Sequence, residues 1–133
     1  MSFLLDTDHL SAHLRRPSGL AHRFFQYSSR LYTPSIALAE LYVWAYRRPD
    51  PTVALASIDK MLLHEVGVLD YNLDCAKEFG RVRMDLRRQG IEVPTVDLMI
   101  GSVAIVYDLT MVTHNTADFR NIPGLHLDDW LTA

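Results

Sequence analysis

The sequence predicts an α/β fold, in which a short, mostly parallel sheet of about five strands is covered by helices on both faces. Short apolar runs alternate with longer helical patterns along the whole chain, and that alternation is typical of parallel sheets. The 133 residues can bury one proper core, so we expect a single domain over 1–133. The composition, 49% hydrophobic and 22% charged, is that of a globular protein and excludes a disordered chain.

Five short apolar runs are the predicted strands. They cover residues 3–5, 30–34, 66–69, 109–113 and 125–127. The first run ends at Asp6-Thr7-Asp8, where one of the two acids is expected to cap the next helix. In parallel sheets the functional site lies beyond the carboxyl ends of the strands, so the polar residues that follow each run are the candidates for function.

Helix boundaries are predicted from caps and breakers. Pro17 separates the first helix from the second, because proline removes a backbone donor and clashes within a helix. Ser35 and Thr95 are expected to cap two strongly apolar helices, which run to about residues 46 and 107.

Two further helices carry clear start or stop signals. Asp50 as the cap and Pro51 as the first helical residue begin one of them. Asn72 caps a long helix, and Gly90 ends it. Within that helix the apolar residues are spaced four, three and four positions apart, which predicts one apolar stripe facing the sheet.

Charge, hydropathy and cysteine usage limit the classes of function. The net charge is −3, and eleven of the thirteen basic residues are Arg, so the balance neither supports nor excludes a polyanionic substrate. No apolar run reaches the roughly 18–20 residues of a membrane span. The first residues lack the basic start of a signal peptide, so we expect a cytoplasmic protein. The single Cys75 allows no internal disulfide and no cysteine-based zinc site.

Four acids are the candidate catalytic and metal-binding residues. Asp6 follows the first strand, and Asp118 follows the fourth, where it could equally cap a short helical turn. Glu40 lies within an apolar helix that is expected to be mostly buried, so its carboxylate needs either an Arg or a metal as a partner. Asp97 lies in the first turn of another apolar helix, where it could equally compensate the helix dipole.

Carboxylates that converge without a nearby Lys repel one another, and a bound cation would neutralise them. Donor sets made only of oxygen favour Mg²⁺ or Mn²⁺ over zinc. Such an ion can activate water and hold a phosphodiester at the same site. His9 and His13, four residues apart, form a weaker zinc alternative, because no third ligand or catalytic Glu accompanies them.

Four segments, in this order and spacing, resemble the acidic motifs of PIN-domain ribonucleases. They are residues 4–8, 35–40, 93–101 and 113–119. The closing segment 120–130 is similar to the tail of the VapC-type toxins of bacterial and archaeal toxin–antitoxin pairs. The resemblance covers essentially the whole chain.

The resemblance implies a three-layer PIN-like sandwich and a Mg²⁺-dependent endoribonuclease that hydrolyses RNA phosphodiester bonds. It places four acids around the metal: Asp6, Glu40, Asp97 and Asp118. It also implies polar neighbours of the site that bind substrate or orient water and phosphate: Thr7, Asn115 and Thr116.

Two positions depart from the family pattern. Asp8 stands where such toxins commonly carry Asn, which adds negative charge near the site. Asn115 stands where some members carry Asp, so that Asp118 is left to supply the fourth acid.

The resemblance also implies partners, namely a homodimer, a small antitoxin that wraps the toxin and blocks the site, and a higher toxin–antitoxin assembly. The aromatic stretch Tyr42, Trp44 and Tyr46 suits such an interface, or is plain core.

Two other classes remain as alternatives. A haloacid-dehalogenase-like phosphatase also begins with Asp-x-Asp after a strand, but it needs a late catalytic Lys, and both Lys60 and Lys77 fall inside predicted helices. A non-enzymatic phosphorylatable receiver domain would use Asp70 as its phosphoacceptor, and it needs a Lys after the last strand, where none follows Thr113.

Overall fold

Five short strands form one sheet in which every neighbouring pair runs parallel. In the computed structural model, which describes residues 1–15 and 17–131, the strands are β1 (Phe3–Leu5), β2 (Leu31–Pro34), β3 (Gly67–Leu69), β4 (Thr110–Val112) and β5 (Leu127–Asp128). Their order across the sheet is β3-β2-β1-β4-β5. The predicted parallel α/β sheet is confirmed. Its fifth strand lies slightly later in the chain than predicted, because Met111 and Val112 pair with residues 127 and 128.

Helices cover both faces of the sheet. Those within the described residues are α1 (Thr7–Arg15), α2 (Pro17–Gln26), α3 (Ser35–Tyr46), α4 (Thr52–His64), α5 (Leu73–Arg88), α6 (Thr95–Val106) and α7 (Thr116–Phe119). Side chains alternate along β1, so that Phe3 and Leu5 enter a core with α1, α2 and α4, while Leu4 enters a second core with α5 and α6. This three-layer arrangement is the predicted sandwich.

The predicted caps at Ser35 and Thr95 are wrong, and both for the same reason. Ser35 and Thr95 are the first helical residues rather than caps, because Pro34 and Pro94 occupy the cap positions and no side chain caps either helix there. The hydroxyl of Thr95 instead accepts a hydrogen bond from the buried guanidinium of Arg83, at 3.2 Å. Proline in the preceding position therefore sets the entry into α3 and α6 without a side-chain cap.

The predicted cap at Asn72 is confirmed, because its side chain accepts from the amide of Cys75 at 3.0 Å. Helix α4 begins one residue later than predicted: Pro51 is its cap and Thr52 its first residue, while the Asp50 carboxylate accepts from the Thr52 amide at 3.1 Å from the preceding turn.

Gly90 has a positive φ of 74° just after α5. Glycine adopts this backbone conformation without strain. The helix is closed by the amide of Gly90, which donates to the carbonyl of Arg87, and by that of Ile91, which donates to the carbonyl of Leu86.

The order of the strands creates a crevice between β1 and β4. From β1 the chain builds the sheet outward through β2 to β3, and then returns across it to place β4 on the other side of β1. Ligand sites of parallel sheets lie beyond the carboxyl ends of two such strands. Among the residues described, no helix is both long and apolar enough to cross a membrane.

Candidate active site at the ends of the first and fourth strands

Asp6 directly follows β1, and threonines hold both of its carboxylate oxygens. Its Oδ1 accepts from the amide of Thr7 at 2.8 Å, and its Oδ2 accepts from the hydroxyl of Thr113 at 3.0 Å. Thr113 is fully buried at the end of β4, so the neighbouring strand fixes the direction of the carboxylate. Burial raises the pKa of Asp6 to about 6, and the negative charge of Asp8 contributes to the increase.

Asp8 ties the start of α1 to the loop that follows β4. Its Oδ2 accepts from the amide of His114 at 2.9 Å, and its Oδ1 accepts from the ring Nδ1 of His9 at 2.8 Å. Burial raises the pKa of Asp8, but the hydrogen bond from the His9 ring, together with those from the backbone amides, outweighs burial and lowers it. Of the two acids expected to compete for the cap, Asp6 binds the first amide of α1, while Asp8 anchors the loop.

Glu40 lies next to Asp6 but is exposed, so the expectation of a buried Glu40 is wrong. Helix α3 buries one stripe, formed by Ala37, Leu41 and Ala45, and Glu40 stands on a face that is open to solvent. The hydroxyl of Thr7 lies 3.3 Å from its Oε1 and 3.1 Å from the carbonyl of Ala37, which holds the carboxylate beside β1. Among residues 1–15 and 17–131, Glu40 forms no ion pair with an Arg.

Asp97 and Asp118 share a hydrogen bond. Asp97 is half-buried in the first turn of α6, and its pKa is raised to about 6, first by burial and then by the bond that its protonated carboxyl donates to Asp118. The charges of Asp6 and Glu40 add to the effect. The side-chain amide of Asn115 donates to Oδ2 of Asp118 at 2.7 Å, and thereby holds Asp118 on α7.

The remaining predicted neighbours lie around this pair. The backbone amide of Asn115 donates to the Thr113 hydroxyl at 3.1 Å, so the loop after β4 is bound to the same threonine that holds Asp6. Thr116, the first residue of α7, is exposed to solvent beside Asn115. Thr7 contacts both Asp6 and Glu40.

The structure thus brings all four predicted acids to one end of the sheet without a compensating cation. Within the described part of the chain, none of the four forms an ion pair, and no three His, Cys, Asp or Glu side chains are arranged so as to hold one ion. The acids are therefore close enough to raise the pKa values of Asp6 and Asp97, but they do not surround a common point. Their donor set, carboxylate oxygens alone, fits a hard divalent ion.

Comparison with known proteins identifies the family. The family model described as "PIN domain" matches residues 3–125. The chain belongs to the PIN-domain family. A relative from Salmonella typhimurium, named tRNA(fMet)-specific endonuclease VapC, is 33% identical over 131 residues, which is 98% of each chain.

Solved structures agree on the fold. A chain in DNA-bound VapBC from Salmonella typhimurium superposes with a TM-score of 0.88 at 33% identity, and 98% of each chain is covered. A chain in VapBC2 from Rickettsia felis, bound to a DNA fragment from its promoter, gives a TM-score of 0.87 at 26% identity, with 98% of this chain and 99% of that chain covered. The PIN-like fold that the sequence motifs implied is confirmed.

The two alternative classes are not supported. Receiver domains have the strand order 2-1-3-4-5, whereas this sheet has the order β3-β2-β1-β4-β5. Asp70 follows β3 at the sheet edge, separated from β1 by β2, so it cannot join Asp6 in one phosphoacceptor site. Lys60 and Lys77 lie within α4 and α5, not at the carboxyl end of a strand, which removes the lysine that a phosphatase of the haloacid-dehalogenase type needs.

Two residues of this PIN domain site escaped sequence reasoning. Thr113 looked like the end of a strand, yet it binds Asp6. Its signal was a polar side chain at the last position of a buried run. His9 looked like half of a weak zinc pair with His13, yet the two bind different acids, Asp8 and Glu65. No sequence signal placed His9 beside the C-terminal segment.

The raised pKa of Asp97 predicts that ionisation of this carboxyl lowers the free energy of unfolding, and that Asp97→Asn removes this pH-dependent loss. In the metal-free PIN domain, the folded state keeps a proton between about pH 4 and 6 that the unfolded chain releases, so this contribution to stability falls as the pH rises through about 6. The free energy of unfolding of Asp97→Asn should exceed that of the unaltered protein. After allowance for solvent screening, this difference should be about 1 kcal/mol larger at pH 7.5 than at pH 5. Urea unfolding in EDTA measures it.

Asp59→Asn, on the exposed face of α4, is the matched control and should show no such difference. A loss of stability of Asp97→Asn at both pH values would show that Asp97 instead stabilises the start of α6, and would contradict the prediction.

Proposed function

We propose that this PIN domain is a metal-dependent endoribonuclease, formed by one nuclease domain over residues 1–133, and that it acts as the toxin of a toxin–antitoxin pair. The observation that carries the proposal is the convergence of four uncompensated acids at the β1–β4 crevice. Two of them, Asp6 and Asp97, have pKa values raised to about 6. Such an arrangement is costly for a structural role and suits a site that binds a cation.

PIN-domain nucleases in general depend on divalent metal ions, and the donor chemistry here agrees with that. We propose Mg²⁺, with Mn²⁺ as a substitute, held by the carboxylates of Asp6, Glu40, Asp97 and Asp118. When bound, the ion makes water a stronger nucleophile and stabilises negative charge on the phosphate. A bound ion would favour the charged form of Asp97, whose pKa burial and the neighbouring Asp118 raise in the metal-free protein.

The protein groups position these carboxylates before the substrate arrives. Thr7 and Thr113 fix both oxygens of Asp6. The hydroxyl of Thr7, the first residue of α1, also donates to Glu40, so this one residue binds the acid after β1 through its amide and the acid on α3 through its side chain. Asn115 holds Asp118, and the exposed Thr116 is left as a donor to an RNA phosphate. Fixed groups of this kind supply electrostatic stabilisation without the cost of reorganisation during the reaction.

Partners follow from the same family membership. We propose an antitoxin as the regulatory partner, RNA as the substrate and a homodimer as the basic unit. Helix α3 offers an apolar surface for contact with protein partners, because Val43 is 55% exposed and Tyr46 is 64% exposed. Trp44 lies beside them under the guanidinium of Arg48, at 3.8 Å from the ring centre. The tRNA(fMet) in the name of the Salmonella relative is the first RNA to assay.

Chelation should abolish cleavage of RNA. The purified toxin is expected to cut a panel of RNAs that includes tRNA(fMet) in Mg²⁺, to lose that activity in EDTA, and to regain it on addition of excess Mg²⁺ or Mn²⁺. Denaturing gels of end-labelled RNA measure it. Cleavage that persists after exhaustive chelation would rule out the metal-dependent mechanism.

Glu40→Gln should remove activity while leaving the fold intact. The substitution keeps the shape of the side chain and its bond to Thr7, but it removes a charge from the site, so kcat should fall about 100-fold. Because Glu40 is exposed and forms no ion pair with the described Arg residues, the free energy of unfolding should change by less than about 0.5 kcal/mol.

Asp59→Asn removes one charge from the exposed face of α4 and serves as the control for net charge. A folded Glu40→Gln protein with the kcat of the unaltered toxin would exclude Glu40 from the site.

A further inference from the structure

His9 is a fully buried histidine whose two ring nitrogens both bind other groups. Its Nδ1 lies 2.8 Å from Oδ1 of Asp8, and its Nε2 lies 3.0 Å from the backbone amide of Trp130. An amide can only donate, so Nε2 is the acceptor and the ring proton resides on Nδ1. The ring therefore donates to Asp8 and accepts from the C-terminal segment.

These bonds belong to a closed ring of contacts among three segments. Asp8, once bound by His9, accepts the amide of His114 at 2.9 Å. The ring Nδ1 of His114 lies 2.9 Å from Asp129, the residue beside Trp130. The start of α1, the loop after β4 and the C-terminal turn are thus joined through two histidines and two aspartates.

The ring of contacts leads directly to the acids of the site. Thr113 precedes His114, and its hydroxyl binds Asp6 at 3.0 Å and lies 3.5 Å from Asp8. The same hydroxyl accepts the amide of Asn115, whose side chain holds Asp118. A displacement of Asp8 would therefore move the supports of two acids in different elements, Asp6 after β1 and Asp118 on α7.

We propose that His9 is a positioning residue for the nuclease site: by donating to Asp8 and accepting from Trp130, it fixes the loop that holds Asp6 and Asp118. The proposal rests on the proposed function for its kinetic consequences only. It also accounts for Asp8, which stands where related toxins commonly carry Asn. A carboxylate there accepts from the His9 ring on one oxygen and from the His114 backbone amide on the other. The side chain of Asn offers only one acceptor oxygen.

Three variants of His9 separate positioning from packing. His9→Asn places a donor near the original Nδ1 and keeps the bond to Asp8, His9→Gln keeps a polar group near the original Nε2, and His9→Leu keeps neither. The matched control is His13→Leu. His13 is also a buried histidine of α1, but it binds Glu65 and stacks on Phe24 at 3.7 Å, away from the site.

Two readouts test the proposal in folded protein, well below each melting temperature. The first is hydrogen exchange of the His114 amide, which needs no activity. Exchange should accelerate about tenfold in His9→Leu and His9→Gln beyond any global change in stability, which is followed at the amide of the buried Val82 in the middle of α5. The second is RNA cleavage in Mg²⁺. There kcat should fall about tenfold or more in both variants with little change in KM, and His9→Asn should restore most of it.

The proposal is overturned if the His114 amide exchanges alike in all variants, if His13→Leu lowers kcat as much as His9→Leu, or if His9→Gln is more active than His9→Asn. Should His9→Leu fail to fold, the Asn and Gln variants still decide. Should the unaltered protein cleave no RNA, the proposed function fails, while the exchange measurement continues to test the role of His9.

Discussion

Repulsion among carboxylates at the crevice between β1 and β4 is the constraint around which this end of the molecule is built. Asp6 and Asp97 come from elements far apart in sequence, and each raises the energy of the other's charged form. A protein that gathered these groups for stability alone would place a guanidinium among them. Within the described residues, the site instead relies on a threonine hydroxyl and backbone amides to hold its carboxylates.

The scaffold tolerates that repulsion because the carboxylates stand at the end of a well-packed sheet. Leu4 and Leu5 are completely buried in two separate cores, one on each face, so β1 cannot move to relieve the strain behind Asp6. Arg83 performs a similar function for α6. It binds the carbonyl of Val93 at 2.7 Å and thereby holds the segment that delivers Asp97. Rigid supports and uncompensated charge together are what the proposed site for a cation and a phosphate requires.

Sequence reasoning could predict what depends on local patterns. The strands, the cap at Asn72 and the turn at Gly90 follow from spacing and backbone preference, and the four acids stand out because apolar residues or strand ends surround them. Contacts between distant segments could not be predicted in this way. Glu40 is exposed because the rest of the protein covers only part of the surface of α3. The hydrogen bond from Trp130 to His9 joins residues that lie 121 positions apart.

The central claim is that the four acids form one site for a divalent cation, and its most direct test is the stabilisation of the folded protein by Mg²⁺. Unfolding at pH 7.5 should be measured with excess Mg²⁺ and with NaCl of matched ionic strength, for the unaltered protein and for Asp97→Asn. A specific site predicts that Mg²⁺ raises the free energy of unfolding of the unaltered protein by about 1–2 kcal/mol and that of Asp97→Asn by far less. Equal stabilisation of both proteins, or none of the unaltered protein, would contradict the account.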